Sequence, residues 1–454
     1  MLFGYNVDGR YCICCKKDCR MNVVYIHTHD SGRCVQNYGY PVETPNILSL
    51  AKNSLQFNKA FSAAPTCSPS RAALLTGLMP HSNGMLGLAH RGFELNDYSG
   101  HMSAWLRNHG YETVLCGVQH EASDVAKLAY DRVINNGERN MMAYDLKNCD
   151  SAVAFISETH DKPFFLSYGM LNTHRPFPEK CTEPNYVMPF PGIPDLPETR
   201  RDVGAFYNSV RFVDKCVGRV VDAVNNVGIA DDTIIIFTTD HGPAFPGMKC
   251  TLYDGGIGVV LLIHLPHGKR NGEVCDQLIS QLDVFPTLCD LLNIDKPDRL
   301  HGVSFKKLLS EECAVRTSIY AEVNFHAAYE PLRCIRTDRY KLIRRFDKEP
   351  GVIQANIDTS PTKEQLRKIG WMNREIKNTE LYDLLYDPQE KNNLFGKPEA
   401  NEIYKELSKR LNRQMEETDD PLLENNGVVP RPKGTRINKR ETTEPGDTLF
   451  ETDE

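Results

Sequence analysis

Asn22-Val23-Val24-Tyr25-Ile26-His27-Thr28-His29-Asp30 places a short β-branched and aromatic run directly ahead of side chains that titrate and bind metals. The run reads as a strand, and the polar residues as the loop leaving its carboxyl end. The arrangement recurs. Thr113-Val114-Leu115-Cys116 is followed by His120, Phe164 to Tyr168 by His174 and Arg175, and Thr233 to Phe237 by Asp240 and His241. Val259 to Ile263 is a further strand-like run, and Val210, Val213, Val217, Val220 and Val224 fall on one helical face. Strands alternating with helices predict an α/β chain: a large mixed, mainly parallel sheet sandwiched by helices. Ligands of such sheets bind outside the carboxyl ends of the strands, so these His and Asp side chains are expected to converge on one cleft.

Size and composition agree with a large enzyme domain plus a smaller one. The chain has 454 residues, 41% apolar and 25% charged, and a net charge of −7. That sign disfavours nucleic acid, so an anionic substrate must be met by individually placed cations or a metal. No apolar run approaches the ~20 residues that cross a bilayer, and no membrane association is expected. Met1 to Arg20 lacks the apolar core of a signal peptide. Fifteen cysteines, an odd number, suit reduced thiols, and the two observations together point to the cytoplasm.

Four of those cysteines, Cys12, Cys14, Cys15 and Cys19, lie in residues 1–20 with a spacing unlike a zinc knuckle, and that stretch is read as an extension outside the fold. The catalytic domain is expected over 21–310 and a smaller α+β subdomain over 311–418. Within the latter, Asn324 to Glu330 reads as a loop, Leu332 to Phe346 and Glu380 to Leu384 as antiparallel strands, and Ala400 to Met415 as an amphipathic helix. Residues 419–454 read as an extended tail, partly disordered at its end.

The most chemically pointed run is Cys67-Ser68-Pro69-Ser70-Arg71, continued by Ala72-Ala73-Leu74-Leu75-Thr76-Gly77. A thiol ahead of an Arg and a helix-prone segment sits where a helix N-terminus and a guanidinium would stabilise an oxyanion or a thiolate. Alone, the run fits a reactive cysteine, an anion site or a buried structural cysteine.

Taken with four other segments in order, the run resembles the signature of the sulfatase branch of the alkaline phosphatase superfamily. The segments are Tyr25 to Gly32, Gly110 to His120, Asn172 to Phe177 and Thr239 to Gly256, and Arg336 to Lys341 and Glu380 to Asp383 resemble the family's C-terminal subdomain. The likeness spans most of residues 21–395. Within the family it is closest to the heparan N-sulfatase (sulfamidase) group and its bacterial relatives, through Cys67 to Arg71, Asn83-Gly84-Met85 and Thr173-His174-Arg175.

The resemblance implies hydrolysis of a sulfate ester or a sulfamate, with a small sulfated substrate such as an amino sugar. It implies a formylglycine made from Cys67 by a sulfatase-maturing enzyme, and a divalent metal, Ca2+ by resemblance with Mn2+ as the alternative. Asp30, Asp240, His241, His29 and the group at position 67 would be the ligands. Arg71 and Lys249 would neutralise sulfate oxygens, His174 would protonate the leaving group, and His120 would remove the proton that lets sulfate depart.

Three positions depart from the family pattern. His29 stands where a carboxylate is usual, His241 where Asn is common, and Val118 where a Lys often binds sulfate. Imidazole ligands suit manganese, iron or zinc better than calcium. The charge missing at Val118 is assigned to Arg175, His90 or Arg333, and His326 is a candidate pocket residue. His27 reads as a core histidine, and Arg336 and Arg339 as structural partners. Two rival readings remain: a phosphonate monoester hydrolase or phosphodiesterase of the same superfamily, and an unmatured, non-catalytic binding protein. The oligomeric state stays open.

Overall fold

The computed structural model describes residues 21–177, 180–347, 351–424 and 427–452. The cysteine-rich segment 1–20 lies outside the described residues.

The main sheet has eight strands in the order Arg132–Ile134, Glu112–Gly117, Phe164–Gly169, Asn22–Thr28, Thr233–Thr239, Leu261–His264, Leu55–Phe57, Val274–Cys275. All pairings are parallel except those of Leu261–His264, which runs antiparallel to both neighbours. Asn22–Thr28 is central, buried between Phe164–Gly169 and Thr233–Thr239. Its near-continuous apolar sequence follows from burial on both faces.

One face packs against the 30-residue helix Pro197–Asn226, whose Val210, Val213, Val217, Val220 and Val224 are all buried. The other face is covered by Cys67–Thr76, Met102–Asn108 and Val284–Leu292. All ten residues of Cys67–Thr76 are buried. The helix ends at Gly77, whose φ of 68° only glycine adopts without strain and whose N–H closes onto Ala73 O.

A second, four-stranded sheet is antiparallel, in the order Ser318–Phe325, Tyr329–Thr337, Tyr340–Arg345, Thr379–Asp383. The expected loop at Asn324 to Glu330 is therefore corrected: only residues 326–328 turn between strands. Both strands of this hairpin are buried along nearly their whole length, although Ser318, Tyr320, Glu322 and Asn324 alternate with Ile319, Ala321, Val323 and Phe325 in the first. The closing helix runs over Asn401–Glu417. Arg336 pairs with Asp254 and Arg339 with Asp383, as structural partners.

The chain after Thr418 is irregular but docked. Asp420, Val429, Ile437 and Asn438 are buried, and Asn438 N–H donates to Ala327 O at 2.9 Å. Glu444 accepts from Thr359, Lys363 and Arg367. These anchors hold the extended segment expected over these residues against the fold, and a charge-rich composition does not reveal them.

Candidate active site

The polar ends of the central strands and the N-terminus of Cys67–Thr76 meet at one point. Asp240, just past Thr233–Thr239, accepts through Oδ1 from the backbone N–H of Asp30 and His241, both at 2.8 Å. Asp30 is held at φ 39°, a left-handed backbone uncommon for a side-chain-bearing residue. Ser70 Oγ donates to Asp240 O at 2.6 Å, tying the Cys67 helix to the same turn. Gly242 has no room for a Cβ, which would lie 1.9 Å from Gly255 O, so the His241 loop and the 253–258 turn pack backbone to backbone.

The side chains are close and buried. Cys67 Sγ lies 3.7 Å from Asp30 Oδ1 and 3.4 Å from His241 Nε2. His241 Nε2 is 3.3 Å from Asp30 Oδ1 and 3.7 Å from Asp240 Oδ2, and His29 Nδ1 is 3.4 Å from Asp240 Oδ2. Lys249 Nζ bridges Asp30 Oδ2 at 2.8 Å and Asp358 Oδ2 at 3.3 Å. Arg71 donates to Thr28 O at 2.8 Å and to Asp240 Oδ2 at 3.1 Å, with its other terminal nitrogen against His27 Nδ1. His27 is thus a core histidine, bonded on its far side to Ser167 Oγ at 3.1 Å.

Burial pushes up the carboxyl pKa of Asp30, but the Lys249 ammonium, with His174 and His241, outweighs it and holds the group below the usual carboxylate range. Lys249 is held above the usual lysine range: burial opposes its charge, and Asp30 and Asp358 overcome that. Burial, reinforced by Arg71 and the neighbouring histidines, pushes the pKa of His29 and His120 well down. For Cys67 burial dominates and the thiol is pushed well up, with Lys249 only partly offsetting it. The expectation of a thiolate stabilised by the helix N-terminus and Arg71 is corrected: Asp30 and Asp240 also face the sulfur, and Arg71 is committed to Asp240.

These residues fit a divalent cation. His241 Nδ1 faces Gly242 O at 2.9 Å, so it carries the proton, and its Nε2 is turned to two carboxylate oxygens. A cation among them relieves that opposition. His29 Nδ1 is buried without a hydrogen bond, and one donor atom each from His29, Asp30, Cys67 and Asp240 lies within 4.8 Å of the others. Two carboxylates with imidazole is a mixed oxygen and nitrogen set.

His120 and His174 stand at the opening, their rings 5.9 and 5.6 Å from that of His29. His174 Nδ1 donates to Arg175 O at 2.6 Å, leaving Nε2 facing the centre, 4.0 Å from Asp30 Oδ2. His90, exposed, stacks on His120 at 5.3 Å with 3.0 Å between His90 Nδ1 and His120 Nε2. His326 is buried beside the charges of Lys249 and Asp358, with Nδ1 unpartnered and its pKa lowered to about 3, chiefly by burial.

Two candidates are corrected. Arg333 is fully buried in the second sheet and bonds Asp420 through Nε and Nη2. Arg175 is bidentate to Asp202 at 2.8 Å and donates to Ala244 O, so its guanidinium serves the fold. Neither supplies the charge missing at Val118.

Two residues escaped the sequence reading. Asp358, from the segment after the second sheet's third strand, is the second carboxylate on Lys249; nothing in its neighbourhood marks it. Glu121 is buried, with Oε2 accepting from His120 N at 3.1 Å, Oε1 unpartnered, and its pKa raised by burial. Adjacency to His120 was the available signal.

Comparison with known proteins joins this geometry to a family. The sulfatase family profile matches residues 21–294, more than half of the chain, and the profile for the C-terminal part of N-sulphoglucosamine sulphohydrolase matches 248–365. The chain is similar to human N-sulphoglucosamine sulphohydrolase, 28% identical over 84% of this chain and 87% of that protein. It is also similar to a Δ4,5-hexuronate-2-O-sulfatase of Bacteroides thetaiotaomicron, 24% identical over 83% and 85%. A solved structure in complex with its substrate D-glucosamine-2-N,6-O-disulfate superposes with TM-score 0.72 at 20% identity, over 88% of this chain and 98% of that one. The phosphonate monoester hydrolase of Agrobacterium radiobacter has TM-score 0.68 at 20% identity, over 91% and 100%. At such identities the superpositions speak for the fold.

Proposed function

The chain belongs to the sulfatase family and is a sulfuric ester hydrolase, and from that premise we propose that it removes sulfate from a small sulfated amino sugar, as an O-ester or a sulfamate. The observation that most supports this is the meeting of Cys67 with His29, Asp30 and Asp240 inside one 4.8 Å cluster.

Asp30, Asp240, His29 and His241 would hold a divalent cation, which would supply Lewis-acid polarisation of the sulfuryl oxygens. Position 67, matured to formylglycine by a second enzyme, would supply the attacking oxygen. Calcium is our first choice by family and manganese the second, favoured by the two imidazoles. Lys249, fixed between Asp30 and Asp358, neutralises charge on the sulfate oxygens. Arg71 holds Asp240 and, through it, the turns bearing Asp30 and His241. His174 delivers a proton from Nε2 to the departing oxygen or nitrogen. His120, whose backbone N–H is held by Glu121, takes up the proton whose loss releases sulfate. His90 and His326 flank the sugar.

No described helix is long and apolar enough to cross a membrane. The eleven cysteines among the described residues are all free thiols, which supports a reducing, cytoplasmic setting.

The test is sulfate release from an aryl sulfate, O-sulfated glucosamine and N-sulfated glucosamine by protein co-expressed with a maturing enzyme, with Cys67→Ala as control. Release that depends on Cys67 is expected, and the preferred substrate ranks the linkage. No release from protein with a verified aldehyde at position 67 overturns the proposal in favour of phosphonate or phosphodiester hydrolysis, the reading that Asp240-His241 favours.

A further inference from the structure

On the far side of the loop that delivers Lys249, a half-enclosed cavity of about 620 Å³ opens between the two sheets' connecting segments. Met248 and Gly247 line it, whereas Cys67, His120, His174 and Lys249 do not, so it is separate from the reaction centre.

The carboxylates on its wall are already engaged. Asp254 pairs with Arg336 and Lys341, and Glu390 with Lys341. Glu380 accepts from Tyr253 and Tyr382, both at 2.7 Å, and Glu375 pairs with Lys377. Three lining cations have no carboxylate within ion-pair distance among the described residues: Arg33, Arg374 and Lys391. Arg33 donates to Ala60 O and lies over Phe61, which Arg336 also covers, and its Nε is buried without a partner. Burial and Arg336 lower its pKa despite Asp254. Arg374 stacks on Trp371, 3.3 Å from the ring centroid.

We propose that this cavity is a second binding site, for an anionic saccharide segment. Arg33, Arg374 and Lys391 are beyond ion-pair reach of any described carboxylate, with Asp254 acting on Arg33 and Glu380 on Arg374 only from farther off, and they meet a sulfate or carboxylate group by charge-assisted hydrogen bonds. Its wall carries half-buried Trp371, one face of which Arg374 covers, and half-buried Tyr253, which offer apolar contact to a sugar ring, with hydroxyls and carboxylates beside them for orientation. Choosing a saccharide over another anion rests on the proposed function; the anionic character rests on the unpaired cations alone.

Trp371 reports directly, because the chain holds only two tryptophans and Trp105 lies on another helix, bonded to Asp295 O. In a Trp105→Phe, Cys67→Ala protein, a heparin-derived tetrasaccharide is titrated against tryptophan emission, with neutral chitotetraose as control. The expected result is a saturable change with the sulfated sugar alone, weakened about tenfold by Lys391→Ala and by Arg374→Ala and unaltered by His174→Ala. Lys391 is exposed, so its replacement leaves the fold intact. The site is disproved by no saturable change, by an equal response to chitotetraose, or by unchanged affinity in both cation variants. Because Cys67→Ala removes turnover at the outset, a failure of the sulfatase reading appears in sulfate release and leaves this measurement independent.

Discussion

At the reaction centre, Asp30, Asp240, His29 and His241 crowd against Arg71 and Lys249. Against the second sheet, His81 and Asp420 crowd onto its Glu322 and Arg333 in the same way, with all four side chains buried. Each group places carboxylates and imidazoles within ligand distance of one another. They differ in what is left over. In the second cluster Arg333 bonds Asp420, Val323 O and Leu332 O, Tyr320 Oη donates to Asp420, and His81 satisfies both ring nitrogens on Glu322 and Thr418 O. In the first, His29 Nδ1, Arg71 Nε and His120 Nδ1 make no hydrogen bond. Buried charge alone marks neither catalysis nor structure; unused hydrogen-bonding capacity marks the site.

The sharpest way to break this contrast is Asp240→Ala. It removes a proposed metal ligand and the anchor of two backbone N–H groups, so turnover should fall about 10³-fold, on the scale of losing a principal transition-state stabiliser, and metal should vanish from elemental analysis. Unchanged metal content would remove Asp240 from the ligand set. His174→Ala comes next, with a loss of about 10²–10⁴-fold on poor leaving groups. Activated aryl sulfates should suffer less, and equal losses on both would argue against proton donation.

Arg333→Ala should act on the other side of the contrast. Stranding Asp420 in the interior costs about 3–5 kcal/mol of stability, read by denaturant unfolding, while turnover per folded molecule stays unchanged. A selective loss of turnover would return Arg333 to the site. The smallest effect is a pH dependence. Burial lowers the His81 pKa, but Glu322, by charge and hydrogen bond, and then Asp420 raise it above its ordinary 6.5. A histidine raised on folding stabilises fully below the unfolded pKa and loses that contribution as pH rises through the folded one. His81→Gln should flatten the decline in thermal stability above pH 6.5, and an unaltered slope would show that His81 is not charged.

Five strands of the main sheet were legible because they are compact apolar runs followed by polar residues, and the candidate site because those endings bear His and Asp; the short strands Leu55–Phe57, Arg132–Ile134 and Val274–Cys275 hold too few residues to show a pattern. The hairpin Ser318–Thr337 was partly hidden because Asn324 and Glu330 carry loop-like polar side chains that the fold nevertheless buries. Arg333 was misassigned because a sequence displays a guanidinium without its partner, and Asp420 lies far along the chain. Asp358 went unseen for the same reason, since only folding brings it to Lys249. The docked tail is the extreme case: its anchors are single residues in a polar stretch.

The complete burial of the helix that begins at Cys67 also sets a schedule. Its thiol is 1% exposed, so another macromolecule can reach it only while that helix is still unformed. Thr233–Thr239, which builds the Asp240 turn behind it, is made much later in synthesis, at about 5–20 residues per second. Any protein that modifies Cys67 therefore works in a race lasting seconds against folding, and its speed decides what fraction of the chains is ever armed.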